Sequence, residues 1–279
     1  MTAREAAAIH LIARAPDSPP VPDLRSPPRS EMTAALRAVG PAPRRLKEMI
    51  PAEVAALVAD DPRLILPIGS CEPHGPHLPF GVSSLIVERL ADDLSSAYSV
   101  LRAPVVEYGA SRADALPTPG NGTLRRKTLH RQLNDLLASW EESGFEEFIL
   151  LSATDHAQQQ EALLTVVTNG ARVRVADLWT IPMSDLLVAD PGLLPGGEAE
   201  TSLLLHLSPE AVRIDLARDH PVSVEGYRRY RLGRLRVPEE NAGALGCPRS
   251  ASALTGRALY ERLRDRIGQR LFLSAAGAA

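Results

Sequence analysis

The chain has 279 residues, 44% of them apolar, and a formal net charge of −3. That length and composition suit a large α/β-sized core and exclude a chain that is disordered as a whole. The nearly balanced charge carries no electrostatic footprint for nucleic acid, and no apolar run approaches the ~20 residues of a membrane helix.

Residues 1–43 stand apart. Pro16, Pro19, Pro20, Pro22, Pro27, Pro28, Pro41 and Pro43 crowd a stretch rich in Ser, Asp and Arg. Such a segment buries too little apolar surface to offset its ordering entropy. We expect an extension that is loose or docked on a neighbour, with short helical patches near Ala3–Arg14 and Ser30–Ala38. Its Ile9-His10-Leu11-Ile12 run lacks a long apolar core and a clear cleavage site, so no secretory leader is expected. Cys71 and Cys247 are the only cysteines, which fits a reducing, cytoplasmic setting. Cys71 reads as a small buried thiol beside a strand end.

From residue 44 to 279 the pattern alternates. Ala52–Ala59 reads as a helix and Leu64–Ile68 as a buried strand. Leu85–Leu94 has helical spacing, and Val100–Val106 reads as a strand. Lys127–Glu142 is an amphipathic helix capped by Gly144. Strands are expected at Glu147–Ser152 and Arg172–Leu178, and helices at Gln158–Asn169, Glu198–Leu207 and Leu254–Phe272. Strands separated by helices predict a three-layer α/β/α domain with a mainly parallel central sheet. No internal repeat is visible.

The most informative stretch follows the first strand: Gly69-Ser70-Cys71-Glu72-Pro73-His74-Gly75-Pro76-His77-Leu78-Pro79. In an extended segment, Glu72 and His74 project to one side. They would leave the carboxyl end of a strand, where open α/β sheets place ligands. A carboxylate beside an imidazole there is a candidate metal site, and the Gly/Pro frame restricts the backbone around it. The alternative is a Pro-rich loop with polar groups facing water. A second patch, Tyr227-Arg228-Arg229-Tyr230-Arg231 with Arg234 and Arg236, reads first as a solvated face and second as an attractor of anions.

The Glu-x-His-Gly-x-His-Leu-Pro stretch resembles the creatininase family of metal-dependent amidohydrolases. Gly109-Ala110-Ser111, Gly122-Thr123-Leu124, Ser143-Gly144-Phe145 with Phe148–Leu151, His156, and Glu198-Ala199-Glu200-Thr201-Ser202 follow in the family's order, from about Arg44 to about Arg213. The resemblance implies a three-layer fold, a homohexamer and one or two divalent ions, Zn or Mn. It further implies hydrolysis of a C–N bond in a cyclic amide, lactam or short peptide by water activated on the metal. It assigns Glu72 and His156 to one ion, and His74 and Glu200 to the other. The family's bridging aspartate is Ser83 here, so a single ion is the better expectation. A family histidine is replaced by Pro195, and another position falls on Asp114. His77 is expected to orient a ligand. Glu198 is either a proton shuttle or a helix-start carboxylate. Asp155 would reach the site only if its loop bends. Ser83, Asp114 and Thr123 are expected beside the substrate. Two other readings stay open: a biosynthetic enzyme that has dropped hydrolytic metal chemistry, and a non-catalytic relative.

Overall fold

The computed structural model describes residues 42–110, 118–232 and 234–273. All belong to the unit Pro41–Ala279. The Pro-rich extension up to residue 41 and Asp114 lie outside the described residues.

Helix α1 (Pro51–Asp60) leads into β1 (Arg63–Ile68), α2 (Val82–Tyr98), β2 (Leu101–Arg102), α3 (Arg126–Glu142) and β3 (Glu147–Ser152). Then come α4 (Ala157–Leu164), β4 (Arg172–Asp177), α5 (Glu198–Leu207), α6 (Val224–Arg231) and α7 (Ala253–Gly268). The sheet is parallel, in the order β2-β1-β3-β4. Strands β1, β3 and β4 pair residue for residue, from Arg63–Glu147–Arg172 to Ile68–Ser152–Asp177.

Both faces of the sheet are covered, as continuous apolar strands demand. Leu64, Leu66, Ile68, Phe148 and Leu150 point to a core shared with α3 and α4. Val54, Leu57 and Val58 of α1 pack against the same core. Ile65, Ile149 and Leu151 point the other way, into a core shared with α2, α5 and α7. Alternation along each strand therefore builds the expected three layers. Helices α5 and α7 cross closely because Gly256 has no side chain; a Cβ there would strike Ser202 O.

Three differences from the sequence reading have a clear local cause. The expected Val100–Val106 strand pairs only at Leu101–Arg102, then rejoins β1 as a lone bridge at Val106. Pro104 lies in the gap and has no N–H to offer. Pro67 of β1 is tolerated for the same reason. On that side of β1, Ala103 N donates to Ile65 O and Val106 N to Pro67 O, so the missing Pro67 N–H faces the interruption. Helix α4 stops at Leu164 rather than Asn169, because Thr165-Val166-Val167-Thr168 is a β-branched run. Helix α6 lies in the stretch that periodicity left unread. Its Ser223 side chain accepts from Gly226 N at 3.0 Å, an N-cap that fixes its start.

A smaller cluster completes the domain. Leu194, Tyr230 and Leu245 are buried together, with Val222, Tyr227, Leu235 and Val237 against them. It joins the segment before α5 to the α6 region.

Candidate active site at the carboxyl ends of the strands

Each strand end delivers part of one cleft of about 320 Å³. The turn after β1 carries Glu72 and His74. The tail of β3 carries Thr154, Asp155 and His156, and the last is the N-cap residue of α4. Trp179 follows β4, and Glu200 sits in the first turn of α5. All these side chains line the cleft.

Its floor consists of two imidazole–carboxylate pairs. His156 Nε2 lies 2.7 Å from Glu72 Oε2. His74 Nδ1 lies 2.8 Å from Glu200 Oε2. All four residues are buried. Two further donors aim the carboxylates: Ser70 Oγ donates to Glu72 Oε1 at 2.7 Å, and Gly196 N to Glu200 Oε2 at 2.7 Å. Gly196 has φ +60°, and a Cβ there would collide with His74 O. That position brings the α5 entry loop against the β1 turn, and only glycine serves.

Burial opposes charge on Glu72, His74 and His156, yet the opposite charges beside them prevail. Burial raises the Glu72 carboxyl, but the His156 and His74 imidazoles and the Ser70 hydroxyl bring it down to about 2. Burial lowers His74, but Glu200 and Glu72 lift it to about 9. His156 is raised in the same way, by Glu72 and Asp155 against its own desolvation.

Ser83 occupies the cleft wall and its hydroxyl donates to Ala153 O at 3.1 Å. Trp179 Nε1 donates to the same carbonyl at 2.7 Å. Trp179 is itself held by Asp177, whose Oδ1 accepts from Trp179 N at 2.9 Å; burial pushes that carboxyl up to about 6. The loop after β3 does bend, so Asp155 reaches the cleft. Its carboxylate is 3.6 Å from His156 Nδ1, 3.6 Å from Arg231 and 3.5 Å from the Tyr230 hydroxyl.

Other expected site residues lie elsewhere. Glu198 is fully buried, and its carboxylate accepts from Val188 N, Ala189 N and Asp190 N at 2.7–3.0 Å. Asp190 in turn accepts from Glu198 N and Cys247 N, both at 2.8 Å. This reciprocal clamp engages the Glu198 carboxylate in holding the loop before α5. His77 is buried below the cleft, with Nε2 2.9 Å from Thr201 Oγ1, and so ties the β1 turn to α5 behind Glu200. Thr123 is exposed, bonds Leu124 O at 3.3 Å and is not on the cleft wall. Sequence reasoning missed Trp179, Leu193, Leu194, Tyr230 and Arg236 as cleft residues. The aromatic and basic run at 227–236 was the one available signal for the last two.

Two imidazoles and two carboxylates are the donor types of a zinc or manganese site. The pair separations are hydrogen-bond lengths, and among the described residues no three His, Cys, Asp or Glu side chains converge on one point. The donor types suit a divalent ion that takes the place of protons shared within the pairs.

A parallel sheet covered by helices on both faces, with carboxylate–imidazole pairs at its strand ends, defines a three-layer α/β/α class. Within that class the chain belongs to the creatininase family: the model for creatinine amidohydrolase matches residues 47–271. A mycofactocin precursor peptide peptidase of Mycobacterium tuberculosis is 31% identical over 236 residues, covering 78% of this chain and 88% of that protein. A creatinine amidohydrolase of Pseudomonas putida is 24% identical, covering 74% and 87%. Among solved structures, a creatininase superposes with TM-score 0.67 at 22% identity, over 82% of this chain and 98% of that one. Zinc and manganese forms of creatininase superpose with TM-score 0.68.

Proposed function

We propose that the chain hydrolyses an amide C–N bond in a peptide-like or cyclic amide substrate, with one divalent ion held by members of the Glu72, His156, His74 and Glu200 set. The observation that carries this reading is the pairing of two buried imidazoles with two buried carboxylates on the floor of one cleft. The hydrolase names of the relatives at 31% and 24% identity support the reaction class.

When bound, such an ion polarises the scissile carbonyl and acidifies water. The protein supplies the rest. Ser70 and Gly196 fix the carboxylates, so the donor set is held before substrate arrives. Trp179, Leu193 and Leu194 exclude water from the cleft walls. Asp155 stands beside His156 at the rim and can take a proton there, while Tyr230 and Arg231 hold its carboxylate. Ser83 is a neutral wall group able to accept a hydrogen bond from substrate.

Metal content tests the reading. Protein purified without chelators and dialysed against Zn or Mn should retain about one ion per chain. His156→Ala should lose both the ion and amide hydrolysis. A folded protein that retains no ion would overturn it. The closed pairing of the donors, with Ser83 where the family resemblance expects a bridging aspartate, would then favour a metal-free biosynthetic reaction in the same cleft.

A further inference from the structure

Two residues of the cationic run 227–236, Tyr230 and Arg236, line the cleft. Within nine residues the run carries Arg228, Arg229, Arg231, Arg234 and Arg236. Their environments differ. Arg228 lies 3.8 Å from Glu225, and Arg231 lies 3.6 Å from Asp155. Arg236 is on the cleft wall, is exposed, and has no acidic partner among the described residues.

The acids of the cleft are already engaged. Glu72 faces His156, Glu200 faces His74, and Asp155 faces Arg231. No carboxylate of the cleft is left over for Arg236. The wall around it is apolar: Val237 and Pro238 flank it, and Trp179, Leu193 and Leu194 line the same cleft. Such a wall favours an apolar body, and a free guanidinium beside it favours an anion, most strongly a planar carboxylate that can take two parallel N–H bonds. Arg231, 3.6 Å from the cleft residue Asp155, puts a second cation near the same wall.

We propose that Arg236 selects substrates with an apolar body and a free carboxylate, such as a peptide acid, by pairing with that carboxylate at the cleft mouth. The inference rests on the preceding reading only in taking the cleft as the substrate site.

Binding rather than turnover tests it. A set of N-acetylated apolar dipeptides (leucyl-leucine and phenylalanyl-valine) is titrated as free acids and as C-terminal amides, by calorimetry. The acids should bind about tenfold more tightly than the amides, and their affinity should fall as salt rises. Arg236→Gln should remove the preference and leave the thermal unfolding curve unchanged; Arg236→Lys should restore part of it. Equal binding of acids and amides, binding of neither across the set, or a preference that survives Arg236→Gln would each overturn the proposal. Amide hydrolysis with no acid preference would sink this inference alone. An acid preference without hydrolysis of any amide would sink the hydrolase reading alone.

Discussion

Single side chains in this protein are decided by what is buried with them. Glu198 and Glu200 lie two residues apart on α5, both buried, and have different partners. Glu200 meets an imidazole across the cleft floor, whereas Glu198 meets three backbone N–H groups. Glu198→Ala leaves those donors without acceptors inside the protein, and should lower unfolding free energy by about 3 kcal/mol. Urea denaturation measures this; an unchanged midpoint would refute the clamp. Arg102 is the largest fully buried side chain among the described residues, and it lies 2.7 Å from Asp92 and 3.0 Å from Glu88. Burial raises the Asp92 carboxyl, but hydrogen bonds from Arg45 and Arg102 outweigh it and hold it below its ordinary value. A depressed folded-state pKa contributes stability above the unfolded pKa, and that contribution is lost as pH falls through the folded value. Acid titration of stability should therefore show a steeper loss in wild type than in Asp92→Asn. Parallel curves would remove Asp92 from the acid transition.

At the scale of elements, close approach explains the glycines. Gly196→Ala adds both a left-handed strain and a collision with His74 O. It should weaken the His74–Glu200 contact and reduce catalysis more than it reduces stability. Equal loss in both would mean that the loop only packs. Gly256→Ala, at the crossing of α5 and α7, should act in the opposite sense: it meets Ser202 backbone and should destabilise by about 2 kcal/mol or more. The helices and strands of the domain were largely legible, because short apolar runs mark β1 and β3 and a helical spacing of leucines survives in α3. Helix α6 was not. It is short and crowded with arginine, and its apolar contacts come from Tyr227 and Tyr230 packing on Leu194 and Leu245, which are remote in sequence. The length of β2 was misread because an apolar run with one proline looks like a strand until the missing N–H is set against a partner.

For the whole molecule, the decisive question is charge at the centre of the cleft. Ser83→Asp places a carboxylate where only a hydroxyl now stands. It should raise retained ions from about one toward two per chain, since a shared carboxylate offsets the repulsion between divalent cations. Unchanged stoichiometry would mean that more than one side chain separates this site from a two-ion centre. The sequence by itself determined the alternation of strands and helices, the family, and Glu72, His74, His156 and Glu200 as the residues of interest. These follow from local periodicity and from ordered motifs, which are properties of neighbours along the chain. Only the tertiary structure decided how those four pair, that Asp155 bends into the cleft, that Glu198 holds a loop, and that Arg236 lines the cleft with no acidic partner among the described residues. Each of those depends on residues tens of positions apart meeting at the strand ends, where burial and the nearest charge, not the local sequence, fix what a side chain can do.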